Sequence, residues 1–506
     1  MRKWLPLIAV CLGTFMLLVD VTIITVALPD MAADLSATFS SLQWVVDIYA
    51  LTLAALVMGM GAVADLRGRR LVYVTGLVVF AAASCVSGLA GSTAVLIAAR
   101  GAQGAGGAAM YATTIALLNS SYQGRDRGTA FGIWGAVSGA AAAAGPILGG
   151  LLTESASWRW IFFVNLPVCA AAIIMSLRAF PGGRPSRVVG RRLDVPGLVT
   201  FTLGAAAITY GLIRAASDGW GGGLVTGMLA GGLGAFWAFI LIERRASAPL
   251  LDLSLLRRPA FSGILIGALL LNAAAFAYLV YTSLWLQTAL GLSPIRAGLE
   301  GSAPLSLAAF VVSALIGRFL HASRPRLIIG GGLLLVGAGA FLQARLGAMS
   351  GAATLLPGLI VAGVGVGLAT PVLVSNAMSA VPQRSGGMAA GAVNTARQLG
   401  ITFGVAIIGS VFSSRLASQL GPGHARLAAA VSGGQARAVL AHAPADQRAG
   451  LDLLIRAASA SGLDAALQLA GALGLAGAVV VIVLLRRPAA PEPAVPDPLP
   501  SVLHTK

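Results

Sequence analysis

Long apolar segments separated by short polar loops dominate the hydrophobic pattern of this chain of 506 residues. A run of about 20 apolar residues is long enough to cross a bilayer as a helix. Each of fourteen such runs predicts a transmembrane helix, and together they predict an all-α polytopic membrane protein. The runs cover residues 5–28, 43–63, 71–90, 94–118, 129–152, 160–179, 195–214, 222–242, 260–287, 298–317, 327–346, 353–379, 386–412 and 463–485.

The cationic residues between these runs alternate from side to side. With the N-terminus in the cytoplasm, 23 Arg and Lys residues fall in the inward segments, and four fall in the short outward loops. Cytoplasmic loops of membrane proteins carry such an excess of positive charge. We therefore predict that both termini are cytoplasmic and that the multi-pass chain lies in the plasma (inner) membrane of a bacterium.

The basic loops also predict the domain organisation. Six spans precede one basic loop, two spans follow it, and six more follow a second basic loop. This order indicates an N-terminal six-helix bundle at 1–180, a basic loop with two inserted helices at 181–258, and a C-terminal six-helix bundle at 259–485. The long outward loop at about 413–462 is expected to be partly helical, and the Pro-rich cytoplasmic tail at 486–506 to be disordered.

Composition and charge exclude several classes of protein. The chain is 57% hydrophobic and 10% charged, whereas soluble domains contain about 25% charged residues. The positive-inside loops account for the net charge of +17, so no nucleic-acid partner is predicted. The three cysteines lie in apolar runs without metal-ligand spacing, so no metal site is expected. Neither lysine forms a Gly-Lys phosphate loop and no span carries a His or a hydrolase motif, so neither ATP coupling nor catalysis is expected.

The first apolar run contains a carboxylate, Asp20. An aspartate at the centre of a transmembrane helix costs roughly 2.5 kcal/mol or more, and such residues commonly take part in proton or cation transfer. Helical rise places Arg100 of the fourth span and Asp47 of the second at comparable depth in the outer half of the first bundle. There Asp20 either exchanges a proton or forms a static pair with Arg100, and Asp47 is either a second proton site or an interfacial carboxylate.

Several motifs resemble those of the major facilitator superfamily, and within it the fourteen-span drug:proton antiporters. Gly61–Arg70 (GAVADLRGRR) resembles the loop between helices 2 and 3 of that family, and Arg100–Gly107 (RGAQGAGG) resembles its helix 4 motif. Gly139–Gly150 (GAAAAAGPILGG) resembles the antiporter signature of helix 5, with looser spacing of the upstream glycines. Leu17–Pro29 (LLVDVTIITVALP) resembles the first-helix motif, of which two positions differ.

The resemblance implies a fold and roles for these residues. The fold would be the major facilitator fold, two six-helix bundles plus two inserted helices. Asp20 would carry a coupling proton under the influence of Arg100, although Arg100 at the outer end could simply snorkel. The helix 5 signature, Gly145, Pro146, Gly149 and Gly150, would mark an exporter, against the alternative of ordinary small-residue packing. A cytoplasmic latch, rather than a merely solvated loop, would comprise Gly61, Asp65, Gly68, Arg69 and Arg70.

We therefore expect a proton-coupled efflux transporter that exports a drug or antibiotic by alternating access. Its energy source would be the proton gradient without any cofactor, and it would act as a monomer in the lipid bilayer. Proton-coupled uptake of a small solute and a non-transporting membrane sensor or scaffold remain as alternatives. Polar residues in or near the spans are the candidates for substrate binding: Asn165, Asn272, Tyr278, Tyr281, Gln287, Asn376, Asn394 and Arg397, of which Arg397 could instead pair with another helix.

Overall fold

Helices make up almost all of the structure, a computed structural model that describes residues 2–180, 194–246, 249–319, 325–379, 386–421 and 424–485. No strand occurs within these ranges. The predicted disordered tail lies outside them, as do residues 181–193 of the basic loop. The N-terminal half contains α1 (Leu5–Asp34), α2 (Phe39–Arg67), α3 (Arg69–Gly88), α4 (Thr93–Ser121), α5 (Gly124–Ser155), α6 (Trp160–Phe163) and α7 (Asn165–Ala179).

Two inserted helices and a second half follow. The inserted helices are α8 (Val195–Asp218) and α9 (Gly223–Glu243). The C-terminal half contains α10 (Leu253–Leu256), α11 (Pro259–Ala275), α12 (Leu279–Leu284), α13 (Pro294–Ala297), α14 (Ala303–Phe319), α15 (Pro325–Gln343), α16 (Leu356–Ser379), α17 (Gly386–Leu420), α18 (Ala425–Ser432), α19 (Ala436–His442) and α20 (Arg448–Leu484).

Twelve helical segments of the described chain are long and apolar enough to span a membrane. The helices α4 and α5 have 29 and 32 residues and lie between such segments in the same bundle, with α4 packed on α2 and α3, and α5 packed on α1. The architecture is therefore consistent with the fourteen predicted spans. We call the face that carries α18 and α19 the outer face, because the sequence predicts that it is extracytoplasmic.

The hydrophobic cores connect the two halves differently at the two ends of the bundle. Toward the outer face a single core joins both halves, from Ile23 of α1 to Tyr281 of α12 and Phe412 of α17. Toward the opposite face each half also has a core of its own, one around Tyr73 and one around Leu333. A smaller core there still connects α2 with α17 and the inserted helices, through Leu51 and Ala389. The halves are thus packed together at the outer end.

Two predicted spans are interrupted near the outer end. The ninth breaks between α11 and α12 at 276–278 and continues as a π-helix, Trp285–Ala289. The tenth begins with a π-helix, Gly298–Ser302, before α14. Helical bulges of this type are frequent at functional sites, and Phe276, Leu279 and Ser302 of these segments line the cavity described below.

The outward loop is shorter than the predicted 413–462. The helix α17 continues to Leu420, because Leu416 and Leu420 pack into the core. The helix α20 begins at Arg448, because the sequence that follows is rich in alanine and leucine, which favour helix formation. The segment between them contains the short helices α18 and α19. Its buried residues Val431 and Ala436 pack into the core that joins the two halves, so this segment covers the outer junction.

Candidate functional site

Asp20 and Arg100 form a buried ion pair between α1 and α4. The guanidinium Nη1 lies 2.5 Å from Asp20 Oδ2. The side chains are 0% and 1% exposed, respectively. A charge at this depth requires a partner, because removing either member of a buried pair costs about 3–5 kcal/mol. The structure therefore brings together two of the three residues that were expected to meet, and their role in coupling stays a prediction.

Polar side chains from three helices complete the cluster around Asp20. Gln103 Nε2 donates to Asp20 Oδ1 at 2.7 Å and to Ser84 Oγ at 2.8 Å. Asn165 Nδ2 donates to Asp20 Oδ1 at 3.3 Å. Together with Arg100, these groups give the carboxylate three donors, an environment that fits its ionised form. Asn165, a predicted substrate residue, is thus part of the Asp20 cluster.

The guanidinium of Arg100 has several buried contacts besides Asp20. Its Nε donates to the carbonyl oxygen of Val45 at 3.2 Å, and its Nη1 donates to Gln103 Oε1 at 2.7 Å. Its central carbon lies 4.3 Å from the centroid of the Tyr49 ring. A cation over an aromatic face is stabilised by about 0.5–2 kcal/mol. Arg100 is therefore a fixed, desolvated cation and does not snorkel toward solvent.

Asp47 lies apart from this cluster. Its side chain is fully buried on α2, and neither carboxylate oxygen has a hydrogen-bond partner among the described residues. It lies within electrostatic range of Tyr281 on the opposite half. The expectation that Asp47 joins Asp20 and Arg100 is not met in this conformation, because α2 presents Val45, rather than Asp47, to the guanidinium. An ionised carboxylate without donors costs several kcal/mol, and protonation removes that cost.

A narrow cavity lies between the two halves next to the ion pair. Arg100 and Tyr49 form part of its wall in the first half, and Phe276 and Val405 form part of it in the second. The cavity measures about 40 Å³, which is room for a few water molecules, whereas drug-sized ligands occupy roughly 300–1,000 Å³. A substrate can therefore enter only when the halves move apart. The remaining lining residues are Val21, Thr22, Thr25, Val46, Ala50, Pro146, Leu279, Val280, Ser302, Ser306 and Ile401.

The glycines of the helix 5 signature lie at helix contacts. A Cβ atom at Gly149 would lie 2.6 Å from the carbonyl oxygen of Ile23, and one at Gly145 would collide with Thr22. These two glycines let α5 touch α1. A Cβ atom at Gly150 would lie 2.6 Å from Ile295 Cα in the other half. Pro146 lines the cavity, and its carbonyl oxygen packs against Gly298. The signature thus forms part of the junction between the halves.

Polar contacts also close the outer end of this junction. Gln43 Nε2 donates to the Tyr281 hydroxyl at 3.1 Å, and that hydroxyl donates to the Val405 carbonyl oxygen at 2.5 Å. The Tyr281 ring stacks on Phe412 with centroids 5.2 Å apart. Gln287 Nε2 donates to the carbonyl oxygen of Val26 at 2.7 Å. Two predicted substrate residues, Tyr281 and Gln287, therefore hold the outer end closed in this conformation.

We expect Tyr281→Phe to weaken this closure. The substitution removes a hydroxyl that is bonded to Val405 and Gln43, and a buried hydrogen bond contributes about 1 kcal/mol net. Thermal unfolding in detergent should show a loss of roughly 1–2 kcal/mol. Tyr210→Phe is the matched control, since the Tyr210 ring packs on Trp44 and its hydroxyl has no hydrogen-bond partner within the described ranges. Equal effects of the two substitutions would contradict this role.

The predicted latch lies at the end opposite the outer face. Gly68 joins α2 to α3 with a φ of +101°, a conformation that glycine adopts without steric cost. Arg69 Nη1 donates to the Ala116 carbonyl at 3.4 Å and Arg70 Nη2 to that of Leu177 at 3.2 Å. These carbonyls lie near the C-terminal ends of α4 and α7, where a cation is stabilised.

Gly61 of the predicted latch shows no comparable contact. A Cβ atom at Gly61 would meet open space, so no close approach requires glycine there. The side chain of Asp65 lies outside the described residues.

The remaining predicted substrate residues do not line the cavity either. Asn272 and Asn376 each donate to the carbonyl oxygen four residues earlier in their own helix, both at 2.8 Å. The Tyr278 hydroxyl accepts from Gln343. Asn394 and Arg397 are half-buried on α17, and neither has a polar side-chain partner among the described residues. Their role in substrate binding stays a prediction.

Sequence reasoning missed several residues of the site. Gln103 lies three positions after Arg100 in the quoted helix 4 motif, so helical spacing alone places the two on one face. Tyr49 and Ser84 carry no signal of this kind, because an isolated aromatic or hydroxyl residue in an apolar run normally packs or bonds within its helix. The cavity hydroxyls of Ser302 and Ser306 depend on the π-helix, which the apolar pattern does not reveal.

Comparisons with known proteins support the fold. A bacterial homologue of the human lysosomal transporter Spinster, in an inward-facing and unoccupied conformation, superposes with a TM-score of 0.66 at 15% identity, covering 96% of this chain and 97% of the other. The Mycobacterium tuberculosis multidrug resistance protein Stp is 35% identical, covering 83% of this chain and 77% of that protein. The Streptomyces glaucescens tetracenomycin C resistance and export protein is 33% identical, with 99% and 94% covered.

A family model extends these individual similarities to most of the sequence. The model described as Major Facilitator Superfamily matches residues 10–405. This match covers more than half of the chain, and it includes the ion pair, the helix 5 glycines and both inserted helices. The chain is a multi-pass membrane protein that belongs to the Major Facilitator Superfamily.

Proposed function

We propose that this transporter exports a small-molecule drug or antibiotic in exchange for protons, by alternating access. The observation that carries the proposal is the buried Asp20–Arg100 pair at the wall of the cavity between the halves. A carboxylate inside a membrane protein that pairs with a cation marks a route for ions or protons. The relatives named for drug resistance and antibiotic export support the outward direction.

The ion pair provides a means of coupling. In the conformation with a closed outer end, Asp20 accepts from Arg100 and is held as an anion. When the outer end opens, a proton binds an Asp20 carboxylate oxygen, and the charge attraction to Arg100 is lost. Arg100 lies on the cavity wall, so the released guanidinium changes the surface that contacts the substrate. Proton uptake from outside thereby favours substrate release, and proton loss to the cytoplasm restores the pair.

The energy that one proton supplies is similar to the energy needed to separate the ion pair. A proton gradient of about 200 mV supplies roughly 4–5 kcal/mol per proton. Breaking a buried ion pair by removing one charge costs about 3–5 kcal/mol. One proton can therefore drive the separation of Asp20 and Arg100, and at 1:1 coupling it sustains about a thousandfold substrate gradient.

Asp47 is the candidate for a second proton site. It is buried without a donor near Tyr281, on the contact between α2 and the second half. Protonated Asp47 is compatible with the closed outer end. An ionised Asp47 carboxylate without a partner instead favours separation of the halves, because separation gives water access to it. Asp20 and Asp47 would then carry their protons in different conformations.

The cavity wall favours one class of substrate. The wall is mostly apolar, with hydroxyl-bearing side chains from Thr22, Thr25, Tyr49, Ser302 and Ser306, and Arg100 is the one charged residue among the described residues that line it. Within the described ranges no carboxylate lines the cavity in this conformation to balance a cation. We therefore propose a neutral or weakly acidic lipophilic compound as substrate, bound after the cavity widens.

The location of the protein follows from the charge pattern. We propose that it resides in the bacterial plasma membrane with both termini in the cytoplasm and works as a monomer. Arg69 and Arg70 would then lie on the cytoplasmic face, where their bonds to α4 and α7 hold the inner ends of the first half together. We propose that these bonds of Arg69 and Arg70 form the basis of the cytoplasmic latch.

Reconstituted transport tests the function. The full-length protein is placed in liposomes, a proton gradient is imposed with the acidic side at the outer face, and movement of tetracenomycin C or of the cationic dye ethidium is followed. We expect tetracenomycin C to move toward the outer face against its gradient, and a protonophore to abolish this movement. Movement of the compound in the same direction as the proton would indicate proton-coupled uptake. The absence of movement of either compound would indicate a sensor or scaffold.

A further inference from the structure

A second cavity lies at the outer end of the bundle, away from the ion pair. It measures about 350 Å³, within the range of small-ligand sites of roughly 300–1,000 Å³. Its walls are one face of α17, Ala465 of α20 and Trp220 in the turn between the inserted helices α8 and α9. We call it the outer crevice. Its lining residues are Trp220, Ser410, Val411, Ser414, Arg415, Ser418 and Ala465.

The crevice carries a cation and aligned hydroxyl groups. Ser410, Ser414 and Ser418 are spaced by four residues, so they lie along one face of α17. Arg415 is exposed beside them, and its guanidinium has no acceptor among the described residues. Asp218, two residues before Trp220, pairs with Arg214. The crevice thus presents a guanidinium that no carboxylate neutralises.

Ser410 is the innermost of the three serines. It is 1% exposed, it lines the crevice, and its Oγ has no hydrogen-bond partner in the described part of the chain. A buried hydroxyl without a partner costs about 1–3 kcal/mol. A ligand oxygen at the bottom of the crevice would accept from this hydroxyl while its other oxygens face Arg415. The arrangement fits a group with several acceptor oxygens, and phosphate is the group that arginine binds bidentately.

The position of the crevice identifies the source of that phosphate. Trp220 is 52% exposed at the outer turn of the inserted pair, and tryptophan is enriched where the hydrocarbon meets the headgroups. On either side of the crevice, α8 and α20 pack against α17, so the free face of α17 between them is turned to the lipid. Ser414, Arg415 and Ser418 are exposed on this face.

We propose that the outer crevice binds the headgroup phosphate of an anionic phospholipid of the outer leaflet. The phosphate contacts Arg415 and the hydroxyls of Ser410 and Ser414, while the Ser418 hydroxyl donates to the Arg415 carbonyl oxygen at 2.8 Å. The acyl chains follow the groove between α17 and the inserted helices. A zwitterionic headgroup fits less well, because its cation would face Arg415 and no carboxylate lies among the described residues of the crevice wall. The site is separate from the transport cavity, and the inference does not depend on the proposed export activity.

The test measures lipid binding to the purified full-length protein by native mass spectrometry. Phosphatidylglycerol is titrated against wild type, Arg415→Gln and the control Arg345→Gln, which removes another exposed arginine from the outer face. We expect Arg415→Gln to weaken the binding of one phosphatidylglycerol by about tenfold or more, since hydrogen bonds to charged groups contribute about 1.5–3 kcal/mol. Arg345→Gln should bind as wild type does. Equal affinities of the two variants would overturn the proposal.

Two further measurements sharpen this test. Ser410→Ala removes an unpartnered buried hydroxyl, so it should weaken lipid binding several-fold without lowering thermal stability; unchanged binding would remove Ser410 from the site. Inorganic phosphate added at the lipid concentration should not displace phosphatidylglycerol. Displacement would overturn the lipid as the source, and equal binding of phosphatidylcholine would overturn the preference for an anionic headgroup.

Discussion

Replacing Asp20 with asparagine is expected to abolish the proposed uphill export and leave exchange of the same substrate down its gradient intact. Asparagine keeps the shape and accepts a hydrogen bond from Arg100, but it cannot bind and release a proton. Each proton that crosses the membrane supplies roughly 4–5 kcal/mol. Without this energy, the ratio of substrate concentrations across the membrane should fall from a limit of about a thousand to about one. The measurement is transport into proteoliposomes with an imposed proton gradient, compared with counterflow without one.

Asp34→Asn is the matched control for this substitution. Asp34 lies on the same helix and also pairs with an arginine, Arg159, with Nη1 and Oδ2 2.6 Å apart, but its side chain is 45% exposed. Exposed ion pairs contribute about 0–1 kcal/mol, so Asp34→Asn should export normally. Retention of proton-driven accumulation in Asp20→Asn would remove Asp20 from the coupling mechanism, and loss in both variants would indicate damage to α1.

Replacing Gly150 with leucine is expected to prevent closure of the outer end. The Cβ atom alone would lie 2.6 Å from the backbone of Ile295, so α5 and the second half must separate to accept a larger side chain. Overpacking of this kind costs about 1–3 kcal/mol, and it acts only on the closed conformation. Export should fall at least about tenfold, because one conformation of the cycle is destabilised by more than 1.4 kcal/mol.

Accessibility of the cavity reports this effect directly. With the native cysteines replaced by alanine, Thr25→Cys places a thiol on the cavity wall. A membrane-impermeant maleimide added at the outer face should label it faster in Gly150→Leu than in the unsubstituted background. Gly135→Leu is the control on the same helix, since a Cβ atom there meets open space. Equal labelling in all three proteins would contradict the role of Gly150 in closure.

The apolar pattern predicts much of this fold because a bilayer restricts the chain to long helices. Each span needs about 20 apolar residues and satisfies its own backbone, so length and hydropathy locate it. The ends are less predictable. The helix α17 continues eight residues beyond the predicted 412, since Leu416 and Leu420 of this extension pack into the core that joins the halves. The π-helix at Gly298–Ser302 depends on packing against Pro146, which lies in the other half.

The part of the candidate site that depends on charge and on depth in the membrane was predictable from the sequence. Asp20 and Arg100 are costly residues at similar depth, and the structure pairs them. Depth alone does not determine which way a side chain points, so Asp47 was grouped with them although it faces the second half. The polar residues selected for substrate binding mostly bond within the protein, because a buried amide or hydroxyl without a partner is unfavourable.

The protonation of Asp20 during the cycle is the central claim, and infrared difference spectroscopy measures it most directly. The spectrum of the reconstituted protein is recorded, with a compound that it is found to transport, as the outer side is acidified. We predict that a carboxylic acid C=O band appears in the wild type and in Asp34→Asn and is absent in Asp20→Asn. A band that persists unchanged in Asp20→Asn would show that another group carries the proton and would contradict the account.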